Sequence, residues 1–527
     1  MRRPLAAIQA LNGSFWLLSI ALFALILVVP FLQIDRNFNI TPSLSLTGVT
    51  STWDSALLSA LWNSVVLSVI ASLFAIFCGS AVQRIIDRKP RWMLMLIIAV
   101  YAVNPVARAL SYFDLFQIYT PVYDWSVAFL GRRFATTILL PAVILGIHYF
   151  PIYLMRNLFV LKKHNIPHGL PPLYETLFDD IPLWVRGFPI SFALFFLLTF
   201  FDYWVIQVIS GNTVLYWTPL FIQKGFQARA VSEAALMIVI GLLVTAAAYL
   251  AALCLSTVIR MLLRALRPLW FKRFCGVPEK VRWIGNALAC VILCFLAWPC
   301  INTILMLIII AREGTFTLIQ DTGRAISVMA ILGIGIGAIS ATGGLLLSAV
   351  FQENAQRFRW WLPALYFLAL VPEAAYVLFS LFVTGSGLLR GNPLWMALLM
   401  LSFSVPISFF LWESLWGSSE RQKLWLLGVA MQKHPLAALG TAYREWRKQW
   451  GVVFIVLFWL TIDNVFITDF AAGPKWKPLA AVVFNATKRG FSSDEFLSSF
   501  LGTLTVIGVI LATLWASQKR HRSGYEA

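Results

Sequence analysis

Leu58-Ser59-Ala60-Leu61-Trp62-Asn63-Ser64-Val65-Val66-Leu67-Ser68-Val69-Ile70-Ala71-Ser72-Leu73-Phe74-Ala75-Ile76-Phe77-Cys78-Gly79-Ser80-Ala81-Val82 is an apolar run that no charged residue interrupts. A run of about 20 such residues crosses the hydrocarbon core as a helix, because lipid offers backbone groups no outside partner. Further apolar runs lie at residues 14–34, 92–110, 134–156, 188–210 and 232–260. A second set follows at 283–311, 325–351, 360–383, 394–417, 451–472 and 496–516. The chain is 60% hydrophobic with mean hydropathy +0.80, and 12% of its residues are charged. A soluble domain carries about twice that charged share. The pattern predicts an all-α, polytopic membrane protein with about 12 transmembrane helices.

The two sets of six carry landmarks in the same order. Helices 3 and 9 hold Asn104-Pro105 and Val371-Pro372-Glu373, and helices 4 and 10 hold Phe150-Pro151 and Val405-Pro406. Helices 5 and 11 hold Phe201-Asp202-Tyr203 and Ile462-Asp463-Asn464, followed by Gly211 and Gly473. Helices 2 and 8 place Ser64 and Ser327 just inside the span. An even helix number per half keeps both halves in one orientation, so two parallel pseudo-repeats are expected. Their bounds are 1–260 and 283–527, with a basic interfacial linker at 261–282. Met1-Arg2-Arg3 precedes a run too long for a signal peptide, so a retained first helix is expected.

The formal charge of +18 is a topology signal. On the spans above, roughly two-thirds of the 41 lysines and arginines fall on the side of the termini, Arg108 being assigned to the opposite side. That bias places both termini in the cytoplasm and gives anionic lipid a contact. It argues against a nucleic-acid partner. The six cysteines show no disulfide or zinc spacing and read as small packing residues. The 22 tryptophans and 41 phenylalanines suit lipid-facing and interfacial positions.

Two cytoplasmic loops, 157–187 and 417–450, are longer than the rest and occupy matched places. Long loops usually do more than connect. The second runs Leu426-Leu427-Gly428-Val429-Ala430-Met431-Gln432-Lys433-His434-Pro435, with apolar and basic residues at helical spacing over 426–439. Such a helix either docks in a partner's groove or lies on headgroups. The first runs Leu177-Phe178-Asp179-Asp180-Ile181-Pro182-Leu183-Trp184-Val185-Arg186.

At these residues the chain resembles the type I permease subunits of ABC importers, in the fused two-half form of ferric-iron and thiamine permeases. Gly428-Val429-Ala430 resembles the family's turn, Arg444, Arg447 and Lys448 its basic run, and Asp463-Asn464 through Gly473-Pro474 its end. Asp179-Asp180-Ile181-Pro182 falls where the first half's turn belongs, and the opening Trp62-Asn63-Ser64-Val65-Val66-Leu67-Ser68 is also similar. The resemblance implies that Asp179, Asp180, Ile181, Pro182, Trp184, Gly428, Val429, Ala430, Met431 and His434 contact a separate cytoplasmic ATPase, present in two copies. It implies a periplasmic solute-binding protein and a place in the bacterial inner membrane. The family's Glu-Ala-Ala is missing from both loops; Glu233-Ala234-Ala235 opens helix 6 behind Ser232, and Glu373-Ala374-Ala375 lies within helix 9.

No Gly-x-x-x-x-Gly-Lys-Ser/Thr and no Gly-Lys pair occurs, so no phosphate cradle of that kind is encoded. No enzymatic activity, cofactor or metal site is predicted. Acids in a span face protein or a watery cavity, because a charge at the bilayer centre costs about 2.5–3.5 kcal/mol on insertion scales. Asp202, Glu373, Asp463 and Asp469 are such acids. Asp202, Asp463, Asn464 and Glu373, with the helix-breaking Pro105 and Pro372, either line a pathway or serve structure, by satisfying broken backbone and pairing with a neighbouring Arg. His148 reads as a packed side chain.

Two other classes remain open on the residues alone. A secondary transporter of the major-facilitator kind also has twelve helices in parallel halves, and Gly79 to Arg91 faintly resembles its basic loop. An enzyme acting on lipid-linked substrates would need an outer acid or Arg cluster, which is thin here.

Overall fold

The computed structural model describes residues 33–34, 40–41, 55–88, 90–115, 121–150, 181–210, 215–223, 231–271, 279–314, 317–353, 373, 375–377, 391–415, 423, 426–427, 429–430, 435–487 and 493–518. These residues are helical apart from short breaks and turns and one antiparallel ladder, Gln33–Ile34 with Ile40–Thr41. Five helices are long and apolar enough to cross a membrane: Ser55–Val82, Glu233–Ile259, Trp283–Glu313, Thr322–Ala349 and Ser493–Ala516. Two bent pairs bring the number to seven, Met95–Ala102 with Pro105–Leu115 and Arg447–Asp463 with Val465–Ala471. Shorter apolar helices lie at Ala135–Phe150, Ser191–Phe200 and Pro393–Phe409. This is the architecture of a multi-pass membrane protein. Of the expected first span only Gln33–Ile34 is described, and of the ninth only residues 373 and 375–377.

In chain order the helices are α1 (Ser55–Arg88), α2 (Pro90–Ala102), α3 (Pro105–Leu115), α4 (Pro121–Leu130) and α5 (Ala135–Phe150). There follow α6 (Ile181–Phe200), α7 (Trp204–Ser210), α8 (Trp217–Ile222), α9 (Val231–Phe271), α10 (Glu279–Glu313) and α11 (Thr322–Glu353). The last are α12 (Pro393–Leu415), α13 (Pro435–Glu445), α14 (Arg447–Asp463), α15 (Val465–Ala471), α16 (Leu479–Thr487) and α17 (Ser493–Gln518).

Several expectations need correction. The linker 261–282 is helical over most of its length, because α9 runs on to Phe271 and α10 begins at Glu279. Good helix formers in Met261-Leu262-Leu263-Arg264-Ala265-Leu266 let the span continue past the bilayer. The end of the first long loop is also helix, since α6 starts at Ile181 rather than near 188. Of the amphipathic helix expected over 426–439, residues 428 and 431–434 lie outside the described residues, and a helix runs from Pro435, which suits a first turn, to Glu445. Leu426, Leu427, Val429 and Ala430 are themselves helical.

Packing joins α6 to α1 and α9, and α8 to the same two helices. Later in the chain α14 packs on α11 and α17, and α16 packs on those two. α10 packs on α1, α2 and α3 as well as on α17, so the helix after the linker leans on the N-terminal part. Aromatic rings at every fourth position run down the buried faces: Phe188, Phe192, Phe196 and Phe200 on α6, and Trp450, Phe454 and Phe458 on α14. Residues four apart share one side of a helix, so their rings stack. Much of the phenylalanine content therefore builds the interior, contrary to the lipid-facing expectation. Cys254, Cys290 and Cys294 are exposed on α9 and α10, whereas Cys78 is buried. The packing role fits Cys78 and the half-buried Cys300, and not the three exposed cysteines; Cys275 lies outside the described residues.

Glycines set the closest approaches. A Cβ on Gly333 would lie 2.7 Å from the Phe458 ring, and one on Gly337 would lie 3.2 Å from the Phe458 nitrogen. One on Gly344 would lie 2.8 Å from the backbone carbon of Ser408. α11 thus meets α14 and α12 through small residues, as helices in lipid commonly do. Outside the helices, Gly391 (φ +79°) faces Gly473, and a Cβ on either would fall within 3.1 Å of the other's Cα.

Gly344→Ala should destabilise the protein by about 1–3 kcal/mol, since Ser408 backbone must shift. Gly335→Ala, with open space around it, should leave stability unchanged or slightly raised. Thermal unfolding of the two variants in one detergent checks the contrast.

Candidate functional site: a polar seam at broken helices

Three helices break inside the protein, and an Asn or Asp caps each restart. α2 ends at Ala102, and Asn104 Oδ1 accepts from Val106 N at 3.0 Å. Pro105 opens α3, where its missing N–H costs nothing, and the axes of the two segments differ by 99°. α6 ends at Phe200, and Asp202 Oδ1 accepts from Val205 N (3.0 Å) and Ile206 N (3.3 Å) at the start of α7. α14 ends at Asp463, and Asn464 Oδ1 accepts from Ile467 N at 2.9 Å at the start of α15, after a 52° bend. Short Asx side chains cap well because they reach the free N–H groups of the first turn.

The last two breaks share further detail. Asp202 N and Asn464 N each donate to the carbonyl three residues back, on Thr199 and Thr461, both at 3.4 Å. Each threonine hydroxyl in turn donates four residues back, to Phe195 O and Leu457 O. Asp202 therefore matches Asn464, the second residue of the Asp463-Asn464 pair in the sequence landmarks.

Charged groups gather around these breaks. Arg108, on the second turn of α3, is 1% exposed, and its Nη2 donates to Asp463 Oδ2. Its Nε donates to His148 Nδ1 at 3.3 Å, and Nη1 points at Val100 O at 3.4 Å. The guanidinium lies 4.7 Å from the centre of the Tyr101 ring and 5.8 Å from that of Trp459. Tyr101 Oη donates to His148 O at 2.9 Å, and Tyr149 Oη donates to Asp202 Oδ2 at 2.6 Å. Half-buried Glu373 stands within electrostatic reach of Asp202, Asp463 and Tyr149. One arginine and three carboxylates thus share a seam between the N-terminal and C-terminal parts. Trp459 Nε1 faces the Asp463 carboxylate, and Asn464 Nδ2 is buried there without a hydrogen-bond partner among the described residues.

The sequence-predicted pathway residues Asp202, Asp463, Asn464, Glu373 and Pro105 do meet in this seam. Pro372 lies outside the described residues. Asp202 and Asn464 cap broken backbone, and Asp463 pairs with an arginine, as the structural alternative has it. Asp469 lies apart, accepting from Lys477 Nζ (2.6 Å) and Asn485 Nδ2 (2.5 Å). Arg108 was assigned to the outer surface, and its burial corrects that reading. Its place near the end of an apolar run suits water as well as the interior; once buried, such a charge needs a partner. His148 packs as expected, and it also accepts from that arginine.

Among the loop residues, Ile181, Pro182 and Trp184 belong to the first turn of α6, and Asp179 and Asp180 lie outside the described residues. Val429 is half-buried and Ala430 exposed; Gly428, Met431 and His434 lie outside the described residues. Lys423 and Glu445 form an exposed ion pair across this segment at 2.5 Å. The landmark serines differ in role. Ser64 Oγ accepts from Trp217 N at 2.8 Å and Asn63 Nδ2 donates to Leu215 O at 3.1 Å, tying α1 to the entry of α8. Ser327 is exposed and donates only to Gly323 O. No group of three or more metal-ligating side chains occurs among the described residues.

Comparison with known protein families, characterised proteins and solved structures finds no match to this chain.

Tyr149→Phe removes one donor from a buried carboxylate and should cost about 1.5–3 kcal/mol. Asp202→Asn keeps the cap oxygen on Val205 and Ile206, so it should cost less than Asp202→Ala. Ranking the three by thermal unfolding tests whether Asp202 acts as cap and Tyr149 as its anchor.

Proposed function

We propose that the chain is the transmembrane permease of an ABC importer that moves a small polar solute, such as iron or thiamine, across the bacterial inner membrane. In this reading both six-helix halves, 1–260 and 283–527, lie on one polypeptide with its termini in the cytoplasm. A separate ATPase in two copies drives transport, and a periplasmic binding protein delivers the solute. Hydrolysis is then the partner's chemistry.

One observation carries the reading: the two parts match at a constant spacing of 262 residues. That spacing relates Phe192 to Phe454, Phe196 to Phe458, Thr199 to Thr461, Asp202 to Asn464 and Gly211 to Gly473. It also relates the starts of α8 and α9, Trp217 and Val231, to those of α16 and α17, Leu479 and Ser493. The packing of α6 and α8 on α1 and α9 parallels that of α14 and α16 on α11 and α17. Duplicated halves with discontinuous helices at their junction are how many transporters build a solute path. The matched long loops, one holding the exposed Ala430 and the helix α13, favour an external motor.

A secondary transporter is the second reading, favoured by the buried ionisable seam, since such residues form proton relays in pumps. Reconstitution separates the two. With a cognate ATPase in the liposome, uptake should need ATP, and Gly428→Trp or Ala430→Trp should leave hydrolysis running while uptake stops. Asp202→Ala should lower uptake and leave co-purification of the ATPase intact. Uptake by the purified chain alone, down a proton gradient, would hand the case to the secondary transporter.

A further inference from the structure

We infer that Arg108 is a positioning residue that latches the two parts of the molecule together, and that the latch opens by release of Asp463. The inference rests on the reading of the chain as a two-part transporter and adds the contact that must yield when the parts move.

Both partners sit at breaks. Arg108 lies one turn into α3, after the 99° bend, and Asp463 is the last residue of α14, before the 52° bend. A change of angle at either break shifts its partner of the pair, and hinges fall at such element ends.

The guanidinium is held asymmetrically. On the N-terminal side it keeps His148 Nδ1, Val100 O and the face of Tyr101. Towards the C-terminal side its hydrogen bond goes to Asp463 alone, with the Trp459 ring further off. If the parts separate, Arg108 stays anchored where it is. Asp463 leaves with the indole N–H of Trp459, on its own helix, beside its carboxylate. α10 hydrogen-bonds to α3, through Trp298 Nε1 to Ser111 O and Asn302 Nδ2 to Ser111 Oγ, and so stays with the N-terminal part. Between that unit and α14–α16 the other contacts near the breaks, among the described residues, include ring contacts of Tyr101 with Trp459 and of Tyr203 with Phe466, Phe470 and Phe484. Ring contacts slide, whereas a charge-assisted hydrogen bond is directional and either made or broken. The pair is therefore the discrete contact between α3 and α14.

Its test separates a latch from a merely structural pair. Ala107→Cys, 1% exposed beside Arg108, serves as reporter in a chain whose native cysteines are replaced. Reaction with a membrane-impermeant maleimide is followed in nanodiscs, below the melting temperature of each variant. The single variants Arg108→Gln and Asp463→Asn can misfold by stranding a charge or a donor, so the decisive variant carries both and strands no charge. A latch predicts that this double variant labels about tenfold faster than the parent, the scale of a typical coupling between two states. The exchange Arg108→Asp with Asp463→Arg should return labelling toward the parent rate. A double variant that labels as slowly as the parent overturns the inference, and so does one that cannot fold, because a releasable latch cannot be indispensable to folding. No ATPase or solute enters the assay, so a negative result leaves the permease reading standing. An ATPase that fails to co-purify likewise leaves the latch standing.

Discussion

The Arg108–Asp463 ion pair is the interaction on which the arrangement of this protein turns. Two charges buried together gain little net stability, because desolvation offsets most of their attraction. Breaking such a pair by removing one partner costs about 3–5 kcal/mol. The pair therefore constrains more than it stabilises. It forces the second turn of α3 and the end of α14 to stay within hydrogen-bond reach, and the two helix breaks stay beside each other as a result. Tyr149 and Asp202 form a second polar contact nearby, wholly within the N-terminal part.

Breaking a helix in a membrane protein exposes backbone groups that lipid cannot satisfy. This chain answers at each break with the same means. An Asn or Asp takes the new N-terminal N–H groups, and a tightened i→i−3 bond closes the segment behind it. Arg108 adds a donor toward Val100 O at the end of α2. The breaks are therefore built features, and they bring polar groups to the middle of an apolar molecule without stranding the backbone.

Much of this was legible in the sequence because hydrophobic runs and Asx-Pro or Asp-Asn pairs are local signals. The helical class followed from apolar length, and Asp202, Glu373, Asp463, Asn464 and Pro105 followed from the cost of polar or helix-breaking residues in such runs. Arg108 escaped because a charge near the end of a run looks the same whether it faces water or the interior. Asp463 and Asn464 could not be told apart because two adjacent polar residues offer equivalent caps, and only hydrogen bonding to Thr461 and Ile467 separates them. The inward aromatics escaped because Phe is as apolar to lipid as to a protein core. The helical start at Ile181 and the run of α9 to Phe271 escaped because apolar length marks where lipid ends, not where the helix does.

The contact between Gly391 and Gly473 sets a mechanical boundary. Two backbones touch there with no side chains between them, and Gly391 occupies a left-handed conformation that other residues rarely adopt. Side-chain joints absorb displacement by changing rotamer, and this one has no rotamers to change. The N-terminal end of α12 and the far end of α15 therefore have no slack in which to approach each other further, and a side chain at either glycine would hold them apart.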